Sequence, residues 1–137
     1  MSYIFPIETD LLVDAWQSVK PFLEAALEHA DGKYDLSVIF EQIQRENYKL
    51  WVVYNESQVI GCFVTELLQY PCAKVLGVPF LSCGDFDADI APHFSTVKQW
   101  ARDNNAVSIE FFGRAGWEKK LKPMGFEKTH TVMRLKL

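Results

Sequence analysis

The chain has 137 residues, 49% hydrophobic and 23% charged, the proportions of one globular domain spanning 1–137 with one core. They exclude a largely disordered chain, a collagen-like repeat and a disulfide scaffold, and the formal net charge of −4 argues against nucleic acid as a general partner. The sum is uneven: residues 1–113 hold 7 basic and 16 acidic side chains, whereas residues 114–137 hold 7 and 2. Tyr3–Ile7 reads as a short strand that Pro6 confines to an edge or a strand end. From Asp10 onward, apolar residues at 12, 15, 16, 19, 22, 23, 26 and 27 mark one face of a helix. Pro21 falls inside that pattern and predicts a kink or two abutting helices. After Asp31-Gly32, Asp35 is placed as the N-cap of a second helix carrying Leu36, Ile39, Phe40 and Ile43 on one face.

The period then changes to that of strands. Leu50–Tyr54 is one, and Val59–Leu68 with Lys74–Cys83 form an antiparallel hairpin through residues 69–73. Pro79 cannot donate to a ladder, so a bulge or a loss of pairing is expected there. Ile90, Phe94, Val97 and Ala101 mark a third helix, Val107–Phe112 a further strand, Ala115–Leu121 a short helix and Phe126–Leu137 a closing strand. The order β-α-α-β-β-β-α-β-α-β contains one crossover helix, which makes the strands on either side of it parallel neighbours.

Residues 1–6 lack the basic start and apolar run of a signal peptide. No apolar stretch reaches the ~18 residues a membrane span requires. A cytoplasmic protein with no membrane partner is the expectation. Cys62, Cys72 and Cys83 fit neither a metal knuckle nor a disulfide framework and read as buried thiols. His29, His93 and His130 show no metal-ligand spacing, and no metal is expected.

Local landmarks strengthen the element order: Gly61 in the third strand, the strand running from Val75 to Cys83 into the crossover helix, and Met124-Gly125-Phe126. With them the chain resembles the GNAT-type N-acetyltransferase fold, an α/β mixed sheet flanked by helices whose central parallel strands splay apart. Thr65-Glu66-Leu67, Tyr70-Pro71, residues 113–117 and Leu121–Phe126 resemble small GNAT-like proteins of tailed phages and prophages, which would place the protein in a bacterial host cytoplasm. The resemblance implies acetyl-CoA in the splay, with its pantetheine on the fourth strand and its pyrophosphate at the start of the next helix. Leu81, Ser82, Cys83, Gly84 and Arg114 would then approach the cofactor. An amine on a small molecule or a protein would be the acceptor, held by the two N-terminal helices, and a homodimer is one state to be considered.

Two positions depart from the family pattern. The helix start, usually rich in glycine, reads Cys83-Gly84-Asp85-Phe86-Asp87-Ala88-Asp89, with three carboxylates where a pyrophosphate would rest. Leu121 stands where many members carry a general-acid tyrosine. A non-catalytic binding or virion-associated protein is therefore the second reading.

Glu110, mid-strand beside the expected splay, is the candidate base; the plainer reading is an outward polar position or a pair with an arginine. Pairing residue 66 with 75 would leave Glu66 four residues, ~13 Å, from the bulge, as a surface charge at the hairpin end. Arg114 is placed to grip a phosphate or to neutralise Asp85 or Asp87, and in the second case the aspartates and Arg114 would close the gap. The alternating aspartates lack the glycine and glutamate of a calcium loop and read as helix caps. With acidic neighbours only, Cys83 reads as an inert thiol. Lys128, Arg134 and Lys136 share one strand parity, as a solvated face or a stripe for an acidic partner.

Overall fold

The computed structural model describes residues 2–137. Five strands form one sheet in the order β1-β2-β3-β4-β5: β1 Ser2–Pro6, β2 Lys49–Asn55, β3 Gln58–Gln69, β4 Lys74–Cys83 and β5 Ser108–Phe111. The first four are antiparallel neighbours, and β5 returns parallel to β4 after the crossover. Strands β2 to β4 are buried on both faces, which is why their sequences are near-continuous apolar runs.

Helices α1 (Leu12–Leu27) and α2 (Leu36–Gln44) cover one face, where Leu12, Val19, Leu23, Ile39 and Ile43 pack on Leu50, Val52, Cys62, Val64 and Phe80. The crossover covers the other. It comprises a single turn α3 (Phe86–Asp89), a 3-10 turn and α4 (Phe94–Asp103), and buries Phe86, Ile90, Phe94, Val97 and Ala101 against Trp51, Phe63, Leu76 and Val78. A last turn, α5 (Glu118–Leu121), closes this side with Leu121.

Two expectations change. Pro21 does not divide the first helix: α1 is one element of 16 residues. Pro21 and Gln17, whose carbonyl would have received the missing N–H, are both exposed, so water can satisfy that carbonyl at little cost. The closing strand is absent as well. Residues 126–137 carry no ladder; Phe126 stands edge-on to Phe94 at 5.7 Å, and Arg134 bonds to Asp31 in the α1–α2 turn. The bulge is present: β3 runs from Glu66, paired with Gly77, to Val64, paired with Phe80. Val78 and Pro79 on β4 therefore face Thr65 alone, and the proline sits where no ladder bond is required.

Candidate functional site

The β4–β5 ladder ends at Val78 and Phe111, with a last bond from the Phe112 N–H to the Val78 carbonyl at 3.2 Å. Beyond it β4 continues through Pro79–Cys83, with β3 on one side and, among the described residues, no strand on the other. The opening is a cleft of about 840 Å³. One wall is residues 79–83 of β4 and another is residues 109–115; the end of α1 and residues 126–132 complete it. Here the bulge has a function in the fold. It turns β4 away from β5 and frees backbone on one edge.

Leu81, Ser82, Cys83, Glu110 and Arg114 all line this cleft. Gly84 lies just past the end of β4, exposed, and does not line it. Glu110 is half-buried and has no ion-pair partner among the described residues, so the expected pairing with an arginine is not made. Arg114 is exposed at the rim and does not neutralise the aspartates: Lys120 takes Asp87 at 3.5 Å.

The aspartates are absorbed by their own backbone. The Asp85 carboxylate accepts from the N–H groups of Asp87 and Ala88 at 3.1 and 3.3 Å, and Asp89 accepts from the Asp85 N–H at 3.0 Å. They cap α3, and none of the three lines the cleft, so the gap is not closed by an Asp–Arg cluster. The same geometry means that the donors a pyrophosphate would use at the start of α3 are already satisfied.

Burial pushes the Cys83 thiol up to about 11, with the carboxylates of Asp89 and Asp85 adding to it, which leaves it protonated and unreactive. Burial raises Cys62 to about 12. Cys72 departs from expectation, being exposed in the hairpin turn.

The sequence reading placed Glu66 too far from the site. The ladder pairs Gly77 with Glu66 on one side and Glu110 on the other, so both carboxylates flank one glycine on the same face. A Cβ at Gly77 would stand 2.9 Å from Phe112 Cε2 and 3.5 Å from Glu66 Cγ, so only glycine lets the Phe112 ring lie on the sheet there. Burial raises the Glu66 carboxyl above its ordinary range. Burial likewise holds the neighbouring Tyr48 hydroxyl protonated, helped by Glu66 and by Tyr34. Tyr34 stands edge-on to Phe80 at 5.1 Å, which closes the α1–α2 side of this region with aromatic rings. Glu66 itself opens on a second groove of about 660 Å³, with Tyr48, Thr65 and Trp100. The hairpin register carried this information: it closes with Gln69 on Lys74, two residues off the expected 66–75 pairing, and the bulge follows only beyond Gly77.

No family model matches the chain, and no curated protein matches it in sequence. Solved structures do match. The aminoglycoside N-acetyltransferase AAC(6')-Iy in complex with CoA superimposes with a TM-score of 0.74, covering 100% of this chain and 95% of its own at 14% identity. A ribosomal-protein-alanine N-acetyltransferase from Brucella melitensis biovar Abortus gives 0.71 at 12% identity, over 99% of this chain and 100% of its own. A predicted acetyltransferase from Clostridium acetobutylicum, solved with acetyl-CoA, gives 0.68 at 11% identity, over 99% and 96%. The fold is that of the GNAT acetyltransferases. Among the described residues no helix is long and apolar enough to cross a membrane.

Proposed function

We propose that the protein is an acyl-CoA-dependent N-acyltransferase whose cofactor lies in the cleft between β4 and β5. The observation that supports this most is the end of the ladder at Val78–Phe111, which leaves the edge of Pro79–Cys83 beside a cleft of about 840 Å³. Acetyl-CoA supplies an acyl group on a thioester. The chain supplies the rest: free backbone on β4 for an amide-bearing arm, and cationic groups from Arg114, Lys122 and Lys128 around the cleft for phosphates. The self-capped start of α3 does not fit a pyrophosphate, so these side chains take that charge in its place.

The acceptor amine enters from the α1–α2 side and needs a proton acceptor. Glu110 is on the cleft wall, and Glu66 lies across Gly77 with its carboxyl raised toward the working range of a general base. Leu121 is buried core, so no side chain at that position protonates a leaving thiolate; solvent at the open cleft takes that part.

Calorimetric titration with acetyl-CoA and CoA tests the reading. Micromolar binding is expected, weakened about tenfold in Arg114→Gln by loss of one charge-assisted contact. No binding at millimolar acetyl-CoA would overturn it. One observation favours a second reading, a non-catalytic member of the fold in a binding or virion-associated role, as the local likeness to tailed-phage proteins implies: the α3 N–H groups are already taken by Asp85 and Asp89. Under that reading the native chain ignores acetyl-CoA, and a D85A/D89A variant gains affinity for it.

A further inference from the structure

Gly77 has no side chain to fill its place on the sheet, and the residues around it make a pattern. Glu66 is its partner on β3 and Glu110 its partner on β5. Adjacent strands stand about 4.8 Å apart, so the two carboxylates rise from one face about 10 Å from each other. Between them lies a ring. Phe112 follows Glu110 at the two-residue spacing that keeps both on one face, and its N–H is fixed to the Val78 carbonyl at 3.2 Å. Its Cε2 comes to 2.9 Å from where a Gly77 Cβ would stand, and Leu68 Cδ1 to 3.1 Å.

The fold makes no internal use of these charges. Neither carboxylate has an ion-pair or hydrogen-bonding partner among the described residues. Lys49, which lines the groove beside Glu66, turns instead to Glu8 at 4.0 Å. Glu66 and Glu110 are half-buried and Phe112 is 43% exposed, so the row is open. Each end has room of its own, Glu110 on the cleft of about 840 Å³ and Glu66 on the groove of about 660 Å³. Burial raises the Glu66 carboxyl, an effect that an ammonium at contact distance reverses.

A surface that reads carboxylate, ring, carboxylate complements a molecule that reads cation, hydrocarbon, cation. The charges meet at both ends, and the ring receives the methylene chain while its face attracts the cations.

We infer that the acceptor is an organic diamine, with one nitrogen at Glu110, its hydrocarbon spacer on Phe112 and the other nitrogen held as an ammonium by Glu66. The acylation rests on the acyltransferase reading above; the recognition of two charges does not. In that step the nitrogen at Glu110 forms the amide bond with the thioester carbonyl as the C–S bond breaks. Its proton passes to Glu110, and solvent protonates the departing thiolate. The two carboxylates thus divide the work: Glu110 takes the proton, and Glu66 selects the acceptor by charge and length.

Calorimetric titration of the cofactor-free chain at neutral pH tests the recognition. Hexamethylenediamine, long enough to span the two carboxylates, should bind at least tenfold more tightly than hexylamine. Ethylenediamine is too short and should gain nothing over hexylamine. Glu66→Gln is nearly isosteric and should fold, as circular dichroism will verify, and it should bring the long diamine down to the monoamine. Equal binding of hexamethylenediamine and hexylamine, binding of neither, an advantage shared by ethylenediamine, or a preference that survives Glu66→Gln would each overturn the inference. These titrations use no acyl-CoA. Failure of acetyl-CoA to bind would overturn the acyltransferase reading and leave their result as it stands.

Discussion

The hairpin half of the sheet and the part that follows α4 are built to different standards. In residues 49–83 three long strands bury side chains on both faces, and Trp51 stacks on Phe63 at 5.7 Å while its Nε1–H donates to the buried Thr65 hydroxyl at 2.9 Å. Beyond Ala101, among the described residues, Leu121 is the one buried hydrophobic side chain, and β5 is four residues long. Yet both halves contribute walls of the same cleft. The contrast separates a wall that cannot yield from one that can: local opening free energy follows burial and hydrogen bonding, and here both fall sharply after α4.

Breaking the rigid half should cost most. Trp51→Ala removes a fully buried ring and strands the Thr65 hydroxyl, and about 3–5 kcal/mol is expected from chemical denaturation. Next in size is an alkaline effect in the same half. The Cys62 thiol is held near 12 in the fold against about 9 when unfolded, so the folded state keeps a proton that the unfolded chain releases. Its contribution is complete below pH 9 and is lost as pH rises toward 12, up to about 4 kcal/mol in all. Melting temperature should fall across pH 9–11, and Cys62→Ala should flatten that slope.

In the yielding half, Leu121→Ala should cost about 2–3 kcal/mol at most. Its signature would be local, with faster hydrogen exchange confined to residues 115–137. An equal rise in the β2–β4 amides would show that the two halves unfold together. The smallest effect belongs to Asp31→Asn, since an exposed ion pair is worth under about 1 kcal/mol. Proteolysis within residues 127–137 should quicken a few-fold with no change in melting temperature.

This division also explains what was legible in the residues. Periodicity located the two N-terminal helices, the hairpin and the crossover, because each buries an unbroken apolar face. Pro79 announced the bulge, since its missing N–H excludes a regular ladder. Register was not legible: the hairpin closes with Gln69 on Lys74, two residues off the expected 66–75 pairing, which puts Gly77 opposite Glu66 and brings Glu66 beside Glu110 across that glycine. The fate of Asp85 and Asp89 was only half legible, because their type marks a cap but not whether the donors remain for a ligand. That Lys120 rather than Arg114 meets Asp87 was not legible for the same reason, as short loops fix charge partners through geometry that spacing does not encode. The final segment misled through its own alternation, which promises a strand where residues 126–137 carry no ladder.

The position of Trp117 has a practical consequence. Its ring lies on the cleft wall, 5.2 Å from Phe86 and 5.1 Å from Phe111, whereas Trp51 is sealed beneath β3 and α4. Of the four tryptophans, these two are optical probes in separate surroundings once Trp16 and Trp100 are replaced by Phe. Emission from Trp117 will register whatever enters the cleft, while Trp51 remains an internal standard for the integrity of the fold beneath it.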